Sequence, residues 1–156
     1  WNAYAGSKKL ISRNINFNSI VSNSKIKIIS ISGVRRCGKT SILILLYNLL
    51  KNQKEKVAYV NLEDNRLKDE KEILDQIIKW FGDEGYLILD EITSIPGWEN
   101  WLSRNHEMMK GKLNIIVSSS RSNLVFPEKS LRGRILSYEL YPLSFKEFLD
   151  FEDVKI

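Results

Sequence analysis

Apolar residues along the chain fall alternately into short runs typical of strands and longer runs typical of helices. Residues 25–31 and 57–61 are short and rich in β-branched side chains, which favours strands. Residues 39–51 lie between them, and their apolar length favours a helix. The pattern further predicts a helix at 72–81, a strand at 86–89, a helix at 98–109, a strand at 113–117 and a strand at 135–140. This alternation predicts an α/β fold with a parallel sheet covered on both faces, which binds ligands at the carboxyl ends of its strands.

The composition is that of an ordinary globular domain. The chain has 156 residues, of which 43% are hydrophobic and 28% charged, and these values exclude a disordered or fibrous protein. No apolar run approaches the roughly 20 residues of a membrane-spanning helix, and residues 1–17 lack the continuous apolar stretch of a signal peptide. The single cysteine, Cys37, excludes an internal disulfide and a multi-cysteine metal site. We therefore expect a cytoplasmic protein that makes no membrane contact.

The net charge permits a nucleic-acid partner without establishing one. Lysine and arginine number 24 against 19 acidic residues, which gives a net charge of +5. The basic residues are spread along the chain rather than gathered in one block, so a solvated basic surface is the simpler interpretation. Because the sequence begins at Trp1 rather than at Met, we also expect it to be part of a longer protein.

Residues 33–40 read GVRRCGKT and fit the phosphate-binding pattern G-x-x-x-x-G-K-[ST] at every fixed position. In this pattern the glycines let backbone N–H groups face the phosphates, Lys39 reaches the β- and γ-phosphates, and Thr40 offers a hydroxyl to Mg²⁺. The pattern follows a predicted strand and opens a predicted helix, whose positive end also favours an anion. We therefore predict that the chain binds a nucleoside triphosphate with Mg²⁺. The predicted nucleotide-binding residues are Gly33, Val34, Arg35, Arg36, Cys37, Gly38, Lys39, Thr40 and Ser41.

Three of the four variable positions of this loop carry a charged or thiol side chain. Arg35 and Arg36 either touch the nucleotide or lie on the surface, and the sequence favours neither alternative. Cys37 occupies a variable position, so we expect its thiol to take no part in the chemistry.

Residues 86–91 read YLILDE, a buried strand from whose carboxyl end two carboxylates emerge. An acid at this place holds Mg²⁺ through the water shell of the metal in proteins with the phosphate-binding loop, and we assign this role to Asp90. The adjacent Glu91 can polarise the attacking water as a general base. A strand that runs into a surface loop would produce the same text, but the phosphate-binding loop in the same chain favours the functional interpretation.

Two further groups could act on the γ-phosphate. A hydroxyl among Ser118, Ser119 and Ser120 could sense the γ-phosphate from the end of the fourth strand, although a plain polar turn is the alternative and spacing alone does not choose the serine. An arginine can stabilise the charge that develops on the γ-phosphate, in cis or from a neighbouring subunit. Arg134 is favoured over Arg132 because it directly enters the last strand, and a surface role is the alternative for both.

With these four groups in order, the chain resembles archaeal and bacterial ATPases at the border of the AAA+ and STAND classes. The likeness lies in GVRRCGKTSIL at 33–43, YVNLED at 59–64, LILDEITSIPGWENWL at 87–102 and GRILSYELYPLSFKEFL at 133–149. It implies a three-layer P-loop NTPase sheet of the ASCE/AAA+ type, parallel, with strand order 5-1-4-3-2. It also implies an ATPase domain at 25–156 after an N-terminal extension at 1–24, with a helical lid and a further domain beyond the chain. Relatives usually carry Gly-Ser where this chain has Ser118-Ser119, and by this alignment the resemblance implies Ser119 as the better candidate for the sensor.

The resemblance and the motifs together imply Mg²⁺-dependent hydrolysis of ATP to ADP, coupled to a conformational change of a partner or an attached domain. A homo-oligomer or a partner protein is expected, and nucleic acid stays an open alternative. The competing hypothesis is a STAND-like signalling module that holds ATP or ADP tightly with little turnover. A small-molecule kinase would need a substrate-binding segment and a mobile lid, and neither is evident in the sequence. The catalytic candidates are Lys39, Glu91, Ser119 and Arg134, and the metal ligands are Thr40 and Asp90.

Overall fold

Five parallel strands form one sheet in the computed structural model, which describes residues 13, 15–67, 72–121 and 130–151. The strands are β1 Ile28–Ser32, β2 Val57–Asn61, β3 Gly85–Asp90, β4 Leu113–Ser119 and β5 Ile135–Glu139. The α-helices of the described residues are α1 Phe17–Ser24, α2 Lys39–Asn52, α3 Ile73–Phe81, α4 Trp98–Met108 and α5 Phe145–Phe151, with 3-10 turns at Asn65–Leu67 and Ile92–Ser94. Within the same residues, no helix combines the length and the apolar character needed to span a membrane.

The strand order is β2-β3-β4-β1-β5, which confirms the predicted 5-1-4-3-2 order read from the other edge. Strand β1 lies inside the sheet, where Ile29 pairs with Ile116 of β4 on one side and with Leu136 of β5 on the other. All five residues of β1 are buried, as a strand covered on both faces requires. Strand β4 separates β1 from β3, so the ends of these three strands lie side by side at one edge of the sheet.

The core has two parts because side chains alternate between the two faces of each strand. On one face, Ile28 and Leu87 belong to a cluster with the buried residues of α3 and α4. On the other face, Ile29 and Ile88 belong to a cluster with α2 and with Ile20 of α1. The sheet is therefore the middle of three layers, and the α/β fold class is confirmed.

Helix α1 lies within the segment that the sequence suggested as an extension. Its sequence, FNSIVSNS, is poor in strong helix formers, which explains why periodicity did not reveal it. The helix is held instead by Ile20, which is buried in the core, and by the Asn16 side chain, which accepts a hydrogen bond of 3.0 Å from the Ser19 N–H. Tertiary packing therefore stabilises a helix that local propensity does not predict.

Candidate nucleotide site

A cleft of about 440 Å³ opens at the carboxyl ends of β1 and β3. Six of the nine predicted nucleotide-binding residues line it, namely Arg35, Arg36, Gly38, Lys39, Thr40 and Ser41. Asp90, Glu91 and Ser120 close the side that faces β3 and β4. The fold thus brings the phosphate-binding loop and the acidic pair to one cavity, although about fifty residues of chain separate them.

The other three predicted residues of the loop shape it or lie outside the cleft. A Cβ at Gly33 would lie 2.2 Å from the Leu140 carbonyl oxygen, so only glycine lets the loop pass this close to the segment after β5. The Cys37 side chain is buried in the core, and Val34 is exposed. Arg36 adopts a left-handed φ of 64°, a conformation that a non-glycine residue holds only where its surroundings fix it.

Lys39 is buried at the start of α2, and its ammonium lies across the loop. Its Nζ donates hydrogen bonds to the carbonyl oxygens of Gly33 at 3.0 Å and Val34 at 3.1 Å, and to the Ser120 Oγ at 2.8 Å. The Glu91 carboxylate lies 3.6 Å from the same nitrogen. The amine therefore stands between the two sides of the cleft, where a triphosphate would need a fixed positive charge.

Asp90 receives hydroxyl groups from three different elements. Its Oδ2 accepts hydrogen bonds from the Thr40 Oγ1 at 2.7 Å and from the Tyr59 hydroxyl at 2.8 Å, and its Oδ1 accepts one from the Ser118 hydroxyl. The residue is 2% exposed, so these three hydroxyl groups stand in for the water that an exposed carboxylate would bind. The arrangement fixes one oxygen of the carboxylate beside the Thr40 hydroxyl, which is the pair predicted to serve Mg²⁺.

Glu91 turns away from the strand and enters the cleft. Its φ of 57° is left-handed and ends β3. The Ser120 N–H donates to its Oε2 at 2.9 Å, and the Ser120 hydroxyl donates to its Oε1. Lys39, Ser120 and Glu91 thus form one connected polar network at the mouth of the cleft.

The structure brings two of the three candidate serines to the acidic pair, and Ser119 is not one of them. Side chains alternate along β4, so Ser118 and Ser120 face the site while Ser119 faces the opposite side. The Ser119 hydroxyl is fully buried and shares a hydrogen bond of 2.8 Å with Thr93. Aligning this segment with Gly-Ser of relatives selected Ser119, whereas the position in space selects Ser120.

Arg134 lies at the edge of the sheet opposite to the cleft. It precedes the first residue of β5, and its carbonyl accepts a hydrogen bond from the Ile28 N–H at the start of β1. Five residues of parallel strand, roughly 16 Å, separate it from the phosphate-binding edge. The expectation that Arg134 could serve the nucleotide of its own chain is therefore not met by the structure.

The Arg134 guanidinium is also engaged by its own chain. It donates to the Ser130 carbonyl oxygen at 2.8 Å and to the Ser103 hydroxyl, and it lies 3.3 Å from the Glu107 carboxylate. Arg132, by contrast, is exposed. The place of Arg134 directly before β5 does not show whether its side chain is free to reach a neighbouring subunit. Only the fold shows that its own chain holds Arg134 and leaves Arg132 exposed.

The sequence interpretation missed Tyr59 and preferred Ser119 to Ser120 among the three candidate serines. A hydroxyl-bearing aromatic in the middle of a buried strand needs a polar partner, and that signal could have pointed from Tyr59 to the acidic pair.

Arg35 lies at the rim of the cleft, 3.3 Å from the Glu63 carboxylate, and both side chains are largely exposed. No group of three or more His, Cys, Asp or Glu that could hold a metal occurs in the described part of the chain.

Comparison with known proteins agrees with this geometry. The family model described as an AAA domain matches residues 25–149, which is most of the chain. This chain belongs to the AAA domain family. An uncharacterized protein of Methanocaldococcus jannaschii, MJ1544, is 38% identical over 154 residues, covering 95% of this chain and 33% of that protein. An uncharacterized protein of Haemophilus influenzae is 30% identical over 135 residues, covering 80% of this chain and 33% of that protein. The AAA domain thus spans about a third of the length of these relatives.

Solved structures show the same fold at low sequence identity. A DNA replication initiation factor superposes with a TM-score of 0.58 at 19% identity, over 90% of this chain and 50% of that one. The replication initiator DnaA bound to AMPPCP and single-stranded DNA superposes with a TM-score of 0.60 at 18% identity, again over 90% and 50%. The chain therefore has the AAA+ P-loop fold, and the family together with these neighbours supports a nucleotide-binding domain.

Proposed function

We propose that this AAA domain binds ATP with Mg²⁺ and hydrolyses it to ADP and phosphate. The observation that carries the proposal is the 2.7 Å hydrogen bond between the Thr40 hydroxyl and the Asp90 carboxylate, made beside the Lys39 ammonium. Three groups with the chemistry needed for a metal–triphosphate pair occupy one cleft. A phosphate-binding loop with no carboxylate beside its threonine would lack a second group for Mg²⁺.

The residues present fit a magnesium ion. Mg²⁺ prefers oxygen ligands, keeps several of its waters and needs only one or two protein groups. Thr40 and Asp90 provide a hydroxyl and a carboxylate oxygen on the floor of the cleft, where Asp90 would act through the water shell. When bound, the ion would offset the charge of the β- and γ-phosphates.

Lys39 and the loop backbone would bind the phosphates. In the structure, the Lys39 Nζ bonds to two carbonyls of its own loop, and a triphosphate offers stronger, charged acceptors in their place. The N–H groups at the start of α2 add donors that point in the same direction.

Glu91 is the proposed general base. It follows Asp90 directly, so its carboxylate reaches the mouth of the cleft while Asp90 stays on the floor. A base at this position can take the proton of a water that attacks the γ-phosphate. Ser120 donates two hydrogen bonds to this carboxylate and accepts one from Lys39. We therefore propose that Ser120 is the sensor, which links the position of Glu91 to the presence of the γ-phosphate.

Hydrolysis is proposed to drive a conformational change in an attached domain or a partner protein. Relatives of this chain are about three times its length, so most of each relative lies outside the AAA domain. A helical lid and a further domain after the ATPase domain at 25–156 remain part of the proposal. A homo-oligomer would let an arginine of one subunit, Arg132 or Arg134, reach the nucleotide of the next.

Release of phosphate by the full-length protein tests the proposal. Purified protein should release phosphate from ATP in the presence of Mg²⁺, and EDTA should abolish the release. The alternative, a STAND-like module, predicts tight ATP or ADP binding with less than one turnover per chain in the same assay. Repeating the assay with single-stranded and double-stranded DNA tests nucleic acid as a partner, a test that the single-stranded DNA bound to the DnaA neighbour motivates.

A further inference from the structure

The side chain of Arg13 joins three parts of the chain that are distant in sequence. Its Nη1 donates hydrogen bonds of 3.0 Å to the carbonyl oxygen of Cys37, in the phosphate-binding loop, and of 3.0 Å to that of Tyr141, after β5. Its Nε and Nη2 donate to the two carboxylate oxygens of Glu147, in α5, at 2.9 and 3.1 Å. The side chain is 13% exposed. A planar guanidinium is the one side chain with enough donors in fixed directions for such a set of contacts.

Glu147 is itself held in place at the start of α5. The Ser144 N–H and hydroxyl donate to its Oε2 at 2.8 and 2.9 Å, and the Ser144 hydroxyl accepts from the Glu147 N–H at 3.3 Å. This reciprocal pair is the capping box that Ser-x-x-Glu predicts at a helix start. Glu147 therefore presents its carboxylate to Arg13 from a fixed position.

The segment after β5 contacts the phosphate-binding loop at a second point. The Leu140 carbonyl lies so close to Gly33 that a Cβ there would meet it at 2.2 Å, and the Leu140 N–H donates to the Ser32 carbonyl oxygen at 2.7 Å. The loop is thus held at its first glycine by backbone contact and at Cys37 through Arg13. The first contact comes from Leu140 itself, and in the second Arg13 links the loop to Tyr141 and Glu147. These two residues belong to the sequence YPLSFKEF, for which the proposed chemistry gives no role.

The loop needs such support because its backbone is strained. Arg36 is left-handed with a φ of 64°, and a left-handed non-glycine residue persists only where neighbouring contacts determine it. Arg13 bonds to the carbonyl of the very next residue, Cys37, which precedes Gly38 and Lys39. Holding this carbonyl fixes the backbone directly before Gly38 and Lys39, two residues that line the cleft.

We propose that Arg13 is a positioning residue for nucleotide binding, and that Arg13 and Glu147 form a brace between the phosphate-binding loop and α5. The inference rests on the proposed nucleotide binding and adds a route by which the nucleotide affects structure outside the cleft. The brace holds the loop in its triphosphate-binding conformation. Because coupling between two sites is reciprocal, a bound nucleotide in turn stabilises the Arg13–Glu147 contact and the start of α5.

Nucleotide affinity of Arg13 variants tests the first half of the proposal. In the full-length protein, Arg13→Ala should weaken binding of a fluorescent Mg·ATP analogue by about tenfold or more, the scale of lost charge-assisted hydrogen bonds. Arg13→Lys keeps the charge but not the planar set of donors, so it should recover only part of the affinity. Arg104→Ala is the matched control because it removes the same charge. Arg104 lies outside the cleft, where it forms an ion pair of 2.8 Å with Asp75. This control should bind like the wild type.

Glu147 variants show whether Arg13 acts through the brace. Glu147→Gln can keep the helix cap but loses the ion pair, so it should weaken nucleotide binding severalfold. The double variant Arg13→Ala with Glu147→Gln should bind nucleotide no more weakly than Arg13→Ala alone, because both substitutions remove the same ion pair. Additive losses would show that the two residues act separately and would overturn the brace.

Hydrogen exchange tests the reciprocal half. The Phe148 N–H bonds to the Ser144 carbonyl oxygen at 2.8 Å in the first turn of α5, and its exchange should slow when Mg·ATP binds to the wild type. In Arg13→Lys and Glu147→Gln, chosen because they keep the charge or the cap, the nucleotide should slow this exchange less. Wild-type affinity in folded Arg13→Lys, together with unchanged protection of α5, would overturn the proposal. Failure of the wild type itself to bind ATP would instead overturn the proposed function.

Discussion

Thr40 and Asp90 are joined by a hydrogen bond of 2.7 Å although they belong to different motifs, one at the start of α2 and one at the end of β3. The sheet makes this contact possible because parallel strands end at the same edge. Asp90 also accepts hydrogen bonds from the hydroxyl groups of Tyr59 and Ser118. Helix α2 and strands β2, β3 and β4 therefore meet at this one carboxylate.

Lys39→Ala should weaken ATP binding far more than it weakens folding. The variant removes the buried ammonium that we propose binds the phosphates, and we expect affinity to fall by at least about tenfold in a calorimetric titration. Lys51→Ala, at the exposed end of the same helix, is the matched control and should bind normally. ATP binding of wild-type strength in a folded Lys39→Ala protein would contradict the assignment of the loop.

The two acidic residues should fail in different ways. Glu91→Gln keeps shape and most hydrogen bonding but removes the base, so Mg·ATP should still bind while turnover falls by about 10²-fold or more. Asp90→Asn should instead raise the Mg²⁺ concentration needed for half-maximal activity, because a neutral amide is a poorer partner for the metal. Phosphate release across a Mg²⁺ titration measures both effects. Equal turnover in Glu91→Gln and the wild type would favour the signalling module.

Substitution of Ser119 and of Ser120 tests which of these two neighbouring serines is the sensor. The structure favours Ser120, whereas the alignment with relatives favours Ser119. Ser120→Ala removes the hydroxyl between Lys39 and Glu91 and should lower turnover by about tenfold with little loss of stability. Ser119→Ala removes a buried hydrogen bond to Thr93 and should lower the free energy of unfolding by about 1 kcal/mol while turnover per folded chain stays the same. The opposite pattern would restore Ser119 as the sensor. Phosphate release and urea denaturation provide the two readouts.

The two arginines before β5 should differ in a similar manner. Arg134→Ala should lower the midpoint of urea denaturation, because the guanidinium binds the Ser130 carbonyl and the Glu107 carboxylate of its own chain. If a neighbouring subunit uses an arginine from this segment, the exposed Arg132 is the better candidate, and Arg132→Ala should lower turnover with ATP affinity unchanged within a few-fold.

Mixing variants decides whether such a site is shared between subunits. If Arg132 serves a neighbouring subunit, Arg132→Ala and Lys39→Ala should each be nearly inactive alone. A mixture of the two then recovers activity only where an intact lysine and an intact arginine meet across an interface. Recovery requires a homo-oligomer with a shared site. Normal turnover in both arginine variants would show that neither residue acts on the γ-phosphate.

Acid should weaken the contact between Arg13 and Glu147. The Arg13 guanidinium, followed by the Ser144 N–H and hydroxyl, lowers the pKa of Glu147 from 4.5 to about 2. Since the folded pKa lies below the unfolded one, the stabilisation is fully present above about pH 4.5 and is lost as the pH falls toward 2. Glu147→Gln should therefore make the urea midpoint depend less on pH between 5 and 2. An unchanged pH profile would show that the ion pair adds no stability.

The sequence by itself identified the phosphate-binding pattern, the acidic pair and the five strands with the three helices between them, but neither α1 nor α5. Each of these depends on local chemistry, because glycine positions, a buried apolar run and a strand end are all visible in the text of the chain. The segments 39–51 and 57–61 were placed within a residue of α2 and β2, since strong periodicity and β-branched runs leave little freedom. The resemblance to AAA+ proteins supplied the strand order, which the sheet confirms.

Only the tertiary structure decided which side chains complete the site. Ser120 rather than Ser119 reaches Glu91 because side chains alternate on a strand whose register is fixed by its neighbours. Arg134 lies at the far edge of the sheet because β5 runs parallel to β1. Arg13 reaches the Cys37 carbonyl across 24 residues and Glu147 across 134, and no periodic pattern encodes contacts between segments so far apart. Local chemistry indicates the proposed catalytic groups, whereas the packing of distant segments decides which partners hold them.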